Sequence, residues 1–345
     1  MVALGVMAAL YLTGSIDIVQ QFLNRDSLFL SDGETLTLGG NSGKVVMTEE
    51  GMYRIGETSV EYLGYDGKSN KREYDYFVDQ VFMLEEPLVL TGDNKLFHFY
   101  NHQEILLVEE DRSILYIDQD DYIYVFTEDR DQMTNQVLIL DDKMNPIGEI
   151  DLEKEKGIRA NKSLNSNAFI VASFDYDGNY LHCVIREYLS KDFFVIWELE
   201  FQNEIVVEMV SRRDGLYVAT NDHLYRINNQ GVILWKYGRY QDFKDMEIKN
   251  DRIYLLEQSE TTNIHILSMD GKLISRVSTE QPYKELAFYE DFLLARSNQY
   301  ISYLKEDRLN LLYNGQQTIH DMSVTNQQII VFVGNQIEAF KINRK

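Results

Sequence analysis

From about Glu34 to Ile342 the chain repeats one pattern at a period of roughly 38 residues: short apolar or alternating runs of strand length, each closed by a polar or glycine-bearing turn. The clearest unit reads EIVVEMVSRRD (204–214), GLYVATND (215–222), HLYRINNQG (223–231) and VILWKYG (232–238). Turn residues fall at Arg213-Asp214, Asn221-Asp222 and Asn229-Gln230-Gly231, so the unit is a four-stranded antiparallel meander. Meanders repeated at this spacing predict an all-β fold, a single β-propeller.

Residues 34 to 342 hold about eight such units; seven is the alternative, because the first unit is irregular. The stretch 319–342 supplies only three strands (IHDMSVT, QIIVFVG, QIEAFKI). Three strands leave an edge whose N–H and C=O groups lack partners, so a strand from about 27–40 (SLFLSD or GETLTLG) is expected to complete the last blade. Only Pro87, Pro146 and Pro282 interrupt the chain as prolines, and no linker-like run follows position 45. One propeller domain over 27–345, monomeric, is the expectation.

Residues 1–26 differ in kind. Met1 to Leu12 (MVALGVMAALYL) is apolar and uncharged, yet it is shorter than the about 20 residues that span a bilayer, and it lacks the basic flank of a signal peptide. We read it as the outer half of a signal-anchor whose start lies upstream, which would put the propeller on the extracytoplasmic face of the cell membrane. The alternative is an apolar helix packed on the flank of a cytoplasmic propeller. A short helix is expected over 15–25, where Ile16, Val19 and Phe22 or Leu23 share a face.

The formal charge of −23 repels phosphate backbones, so nucleic acid is not an expected partner, while a basic protein surface would be steered toward the chain. Cys183 is the only cysteine, which excludes an intramolecular disulfide and an all-cysteine metal site. Its apolar setting, LHCVIREY, predicts a buried and inert thiol.

Few residues are arranged as a chemical site. Asp175, Asp177 and Asn179 in DYDGNY match the first ligands of an oxygen-lined calcium loop, but the later bidentate glutamate is missing and an Asp-Gly hairpin turn explains the same letters. The turn is the reading we adopt, so neither a metal nor a cofactor is expected. Between Glu109 and Asp131 nine carboxylates stand against only Arg112 and Arg130, and their alternation with apolar residues predicts a solvated acidic rim. His98 and His102 would lie about 13 Å apart on an extended chain, too far to share a zinc ion. No serine has the glycine-flanked elbow of a hydrolase, so no catalytic residue is assigned.

At the repeated turn-and-tryptophan ends NQGVILWKYG (229–238) and KDFFVIWELEF (191–201), and more weakly at YDGKSNKREYDYF (65–77) and MDGKLISRVS (269–278), the chain resembles the quinoprotein-like propellers. The resemblance extends to uncharacterised membrane-anchored propellers of Gram-positive anaerobes. It implies that Trp197 and Trp235 pack between blades, in a D-x-x-G-x-x-x-W segment joining the third strand to the outer one. Propellers of this kind include assembly scaffolds of the outer-membrane insertion machinery. The functional expectation is therefore a non-catalytic, membrane-tethered scaffold for a protein or cell-envelope partner. The alternatives are a quinone-dependent dehydrogenase or carbohydrate-active enzyme using channel carboxylates, and a ligand-sensing propeller.

Overall fold

The computed structural model describes residues 28–31, 34–37, 44–48, 51–64, 68–82, 87–100, 104–105, 112–129, 131–163, 167–176, 178–325, 328–334 and 336–344. The apolar segment 1–26 and the helix expected over 15–25 lie outside them. The described residues contain strands and turns and no helix.

These strands form eight antiparallel sheets. Seven are four-stranded meanders in chain order, at 44–73, 78–105, 112–153, 156–202, 206–237, 243–279 and 285–314. We number them as blades one to seven. The eighth is built from Ile319–Val324, Gln328–Val333 and Gln336–Arg344, and the expected closure is present: Leu28–Leu30 pairs with the last strand in the register Leu28↔Arg344, and Glu34–Thr37 pairs with it further along at Glu34↔Ala339. Both N-terminal candidates are used, one after the other, on a single strand edge. The fold is an eight-bladed β-propeller.

The chain divides into two compact units, 51–282 and 1–50 together with 283–345. In the second of these, Leu28 of the closing strand and Ile342 of the last strand join Leu294, Ile301, Ile329 and Val331 in one apolar cluster, so closure buries side chains as well as backbone.

In the unit 51–282 the second strands of the blades are largely buried. Gly215–Thr220 is buried at every position and Ile123–Asp129 at all but one, because neighbouring sheets cover both faces. That is why these strands read as unbroken apolar runs rather than alternating ones. The apolar clusters straddle pairs of blades: Ile170, Cys183, Ile185 and Phe201 of blade four pack with Met209, Val218 and Tyr225 of blade five. Cys183 is fully buried, and burial pushes its thiol up to about 11, so it is a core residue without nucleophilic character at neutral pH. The fourth strands are the most exposed, as in Val195–Gln202 and Ile233–Tyr237.

Candidate functional site

The carboxylates expected at a solvated rim are largely engaged by the protein itself. Asp118 accepts the backbone N–H of Ala160 at 3.2 Å, and Asp120 accepts that of Lys162 together with the Tyr122 N–H at 2.9 Å and the Tyr124 hydroxyl at 3.1 Å. Ala160 and Lys162 alternate along the strand Lys156–Lys162, whose outward edge has no strand partner within its own blade. Blade three thus satisfies the free donors of blade four. Asp129 is buried and caps the following turn, accepting the N–H groups of Asp131 and Gln132, each at 2.9 Å. Glu109, Glu110, Asp111 and Arg130 lie outside the described residues.

Other acids tie the strands of single blades together. Glu204 accepts from the Thr220 hydroxyl at 2.6 Å and the Tyr225 hydroxyl at 2.9 Å, and stands 3.0 Å from His223 Nδ1 and 3.4 Å from Lys236 Nζ. Burial pushes its carboxyl upward, but the hydrogen bonds from Thr220, Tyr225 and His223 outweigh it and hold the group below the usual carboxylate range. Glu155 does the same in blade four, accepting from Ser173 at 2.6 Å and from Arg186 at 2.7 Å. In blade six Glu257 lies 3.0 Å from His265 Nε2, and His265 Nδ1 lies 2.6 Å from the hydroxyl of Tyr237 in blade five. Burial holds His265 below the ordinary imidazole range, against the pull of Glu257. The imidazole is therefore neutral, with Nε2 donating to Glu257 and Nδ1 accepting from Tyr237.

The tryptophans sit between blades as the resemblance implies. Trp197, on the fourth strand of blade four, lies against Gly231 in the last turn of blade five; a Cβ there would fall 2.7 Å from the indole. Trp235 lies in the same way against Gly271 of blade six, and its indole N–H donates to the Met269 carbonyl at 3.1 Å. Between blades three and four the slot is filled from the other side. The outer-strand position holds Gly148, and the ring comes from Phe193 in the turn, with positive φ where blades five and six have Gly231 and Gly271.

Two features of this unit were not legible as sites. The first is a β-bulge at the same place in four successive fourth strands, where the register breaks between Ile139/Leu140, Glu187/Tyr188, Arg226/Ile227 and Ile266/Leu267. The residues left over opposite these breaks are Ile147, Ile196, Leu234 and Ile274, exposed by 39%, 49%, 50% and 51%. Exposed Val195, Ile233 and Leu273 adjoin three of them. A bulge re-aims a side chain, and here each one presents an aliphatic group to solvent.

The second is a groove of about 450 Å³ walled by the first strands of blades three to six, Arg112–Gln119, Lys156–Lys162, Val206–Arg212 and Phe243–Lys249. Each of these strands also carries a register break, and Tyr116, Arg159, Glu208 and Asp245 follow the breaks in turn. The last three line the groove with Asp118, Lys244, Met209 and Phe243. Burial, with Asp245 beside it, pushes the Glu208 carboxyl up to about 8 against the Arg159 guanidinium. Asn161 and Met209 continue into a second hollow of about 590 Å³ containing Lys162 and Ser211.

Asp175 and Asn179 are exposed at the tip of the hairpin between Ala168–Tyr176 and Leu181–Leu189, while Asp177 lies outside the described residues. Asp175 accepts the neighbouring Tyr176 N–H at 2.7 Å. Among the described residues no three His, Cys, Asp or Glu side chains are grouped to hold a metal ion.

No protein-family model matches this chain, and no curated protein does. Solved structures share its fold. BamB from Moraxella catarrhalis is 11% identical with a TM-score of 0.62, covering 90% of this chain and 99% of its own. Sqt1 of Saccharomyces cerevisiae is 9% identical at 0.63, covering 91% and 100%. BBS1N, solved in complex with ARL6DN, is 11% identical at 0.51, covering 93% and 98%. At these identities the likeness is one of fold.

Proposed function

We propose that this chain is a non-catalytic propeller that holds a basic protein partner at the cell envelope, tethered to the extracytoplasmic face of the membrane through its N-terminal segment. The observation that carries this reading is the row of bulges at Ile147, Ile196, Leu234 and Ile274. Edge strands normally avoid exposed aliphatic pairs, because an uncovered apolar edge invites aggregation. Four exposed aliphatic side chains in one register, three of them paired with a second, point to a covered surface. Burying the exposed halves of these side chains would contribute roughly 3–6 kcal/mol, the scale of an interface hot-spot cluster. The net charge of −23 would steer a basic partner toward it.

The solved complex of BBS1N with ARL6DN supports the reading by analogy, as a propeller of this fold crystallised with another protein. So does the resemblance to the quinoprotein-like propellers. The test is expression in the native host from the chain's own gene, comparing wild type with I196S/L234S/I274S. Wild type is expected in the membrane fraction with a partner held through crosslinking and washing, and the triple variant in the same fraction without it. A soluble product counts against the tether, and an undiminished complex in the variant counts against this belt of bulged aliphatic residues as the docking surface.

A further inference from the structure

The groove of blades three to six is charged on every wall, but its groups are not equally engaged. Its cations already have partners: Arg159 Nε donates to the Val207 carbonyl at 3.2 Å, and Lys244 pairs with Asp242 at 2.7 Å, as does Lys162 in the adjoining hollow with Asp121 at 2.7 Å. Asp118 accepts the Ala160 N–H and Asp245 the Met246 N–H at 2.8 Å. Glu208 differs. No described residue donates a hydrogen bond to it, although it lines the cavity beside Asp245. A half-buried carboxyl without a donor is a cost that a bound donor would remove.

We propose that Glu208 and Asp245 receive the cationic end of a long basic side chain, an ammonium or guanidinium presented by the protein partner. This rests on the reading of a basic partner above. The volume of about 450 Å³ admits one extended side chain, whose alkyl stem would lie along Met209 and Phe243 while its head reaches the carboxyls. Two carboxyls with a guanidinium beside them are too few for a divalent cation, which takes six or more oxygens in the case of calcium.

The site also sets a direction of proton flow. The groups facing Glu208 are Arg159 from blade four and Asp245 and Glu247 from blade six, with Asp118 and Lys244 on the same groove walls. Burial and the neighbouring carboxylates keep the proton on Glu208 up to about pH 8. An arriving ammonium favours the ionised form, so the Glu208 O–H bond breaks, the proton leaves to solvent, and the ammonium N–H groups take its place. Binding at neutral pH therefore releases a proton. Affinity should rise with pH to about 8 and fall again as a lysine ammonium loses its charge near pH 10.

The test is calorimetric titration of the whole chain with Nα-acetyl-lysine methylamide, its norleucine counterpart and spermidine, in two buffers of different ionisation enthalpy. The lysine probe is expected to bind saturably with net proton release at pH 7, and the norleucine probe not at all. E208Q should weaken the lysine probe at least tenfold and D245N at least threefold, with melting temperatures no lower than wild type for at least one of the two. Equal binding of the norleucine probe, unchanged affinity in both variants, or no saturable heat overturns the site. Tight spermidine binding with none of the lysine probe overturns the assignment to a protein side chain. Loss of the partner from the belt variant with probe binding intact, or the reverse, tells which of the two readings has failed.

Discussion

Substituting Gly231 with alanine probes how neighbouring blades lock together. Gly231 has φ of +75°, and a Cβ built there lies 2.7 Å from Cε3 of Trp197, well inside the contact distance of about 3.5–4 Å between carbon atoms. The left-handed backbone costs an alanine about 1–2 kcal/mol. Overpacking against a ring held between sheets adds about 1–3 kcal/mol, and the stiffer unfolded chain returns up to about 1 kcal/mol. The net expectation is a loss of about 2–3 kcal/mol, read from urea unfolding followed by far-ultraviolet circular dichroism. In a W197A background the steric part disappears, and the same G231A change should cost only about 1 kcal/mol. The coupling of about 1–2 kcal/mol between the two sites is the decisive quantity. If G231A costs the same with and without the indole, or less than about 0.5 kcal/mol in the wild type, the interlocking of ring and glycine is not what joins these blades.

Three further outcomes are expected. G148W alone should destabilise by more than about 3 kcal/mol, because a Cβ at 148 already falls 2.3 Å from the Phe193 ring, and G148W/F193G should recover most of that loss in thermal melts. His265 is buried with its folded pKa below the unfolded one, so its contribution is intact above about pH 6.5 and is lost as pH falls toward the folded value; H265Q should flatten the stability profile across that acid window. Glu208 has the opposite sign: burial and Asp245 push its carboxyl from the ordinary 4.5 up to about 8, so stability is highest below pH 4.5 and declines as pH rises through 8. E208Q should be more stable than wild type by about 1–2 kcal/mol at pH 8–9, measured by urea titration at several pH values.

The repeat, the number of blades and the closing strand could be read in advance because they depend on local patterning: strand-length apolar runs, turn residues, and three strands in search of a fourth. The Trp197 and Trp235 slots were visible for the same reason, since the turn-and-tryptophan ends KDFFVIW and NQGVILW repeat in successive units. The inverted slot of Gly148 and Phe193 was not, because a glycine within a strand and a phenylalanine in a turn lack the turn-and-tryptophan pattern that marks the others. The acidic rim was misjudged in part. Alternation along a strand tells which face a carboxylate takes, but not that Asp118 and Asp120 would meet unpaired backbone donors of the next blade. The bulges left no trace because one extra residue in a strand changes neither composition nor period. The groove was hidden because the character of Glu208 is set by Arg159 and Asp245, which only the stacking of blades brings to its side.

The claim that the bulged belt is where a protein docks is tested most directly by placing a photo-crosslinking residue singly at 147, 196, 234 and 274, and at 149, 198 and 236 on the same strands, in the native host. Adducts of one partner at the bulge positions of successive blades, with little at the positions two residues on, are the expected result. Adducts of equal yield at both sets, or none at the bulges while the protein is folded and abundant, would contradict it.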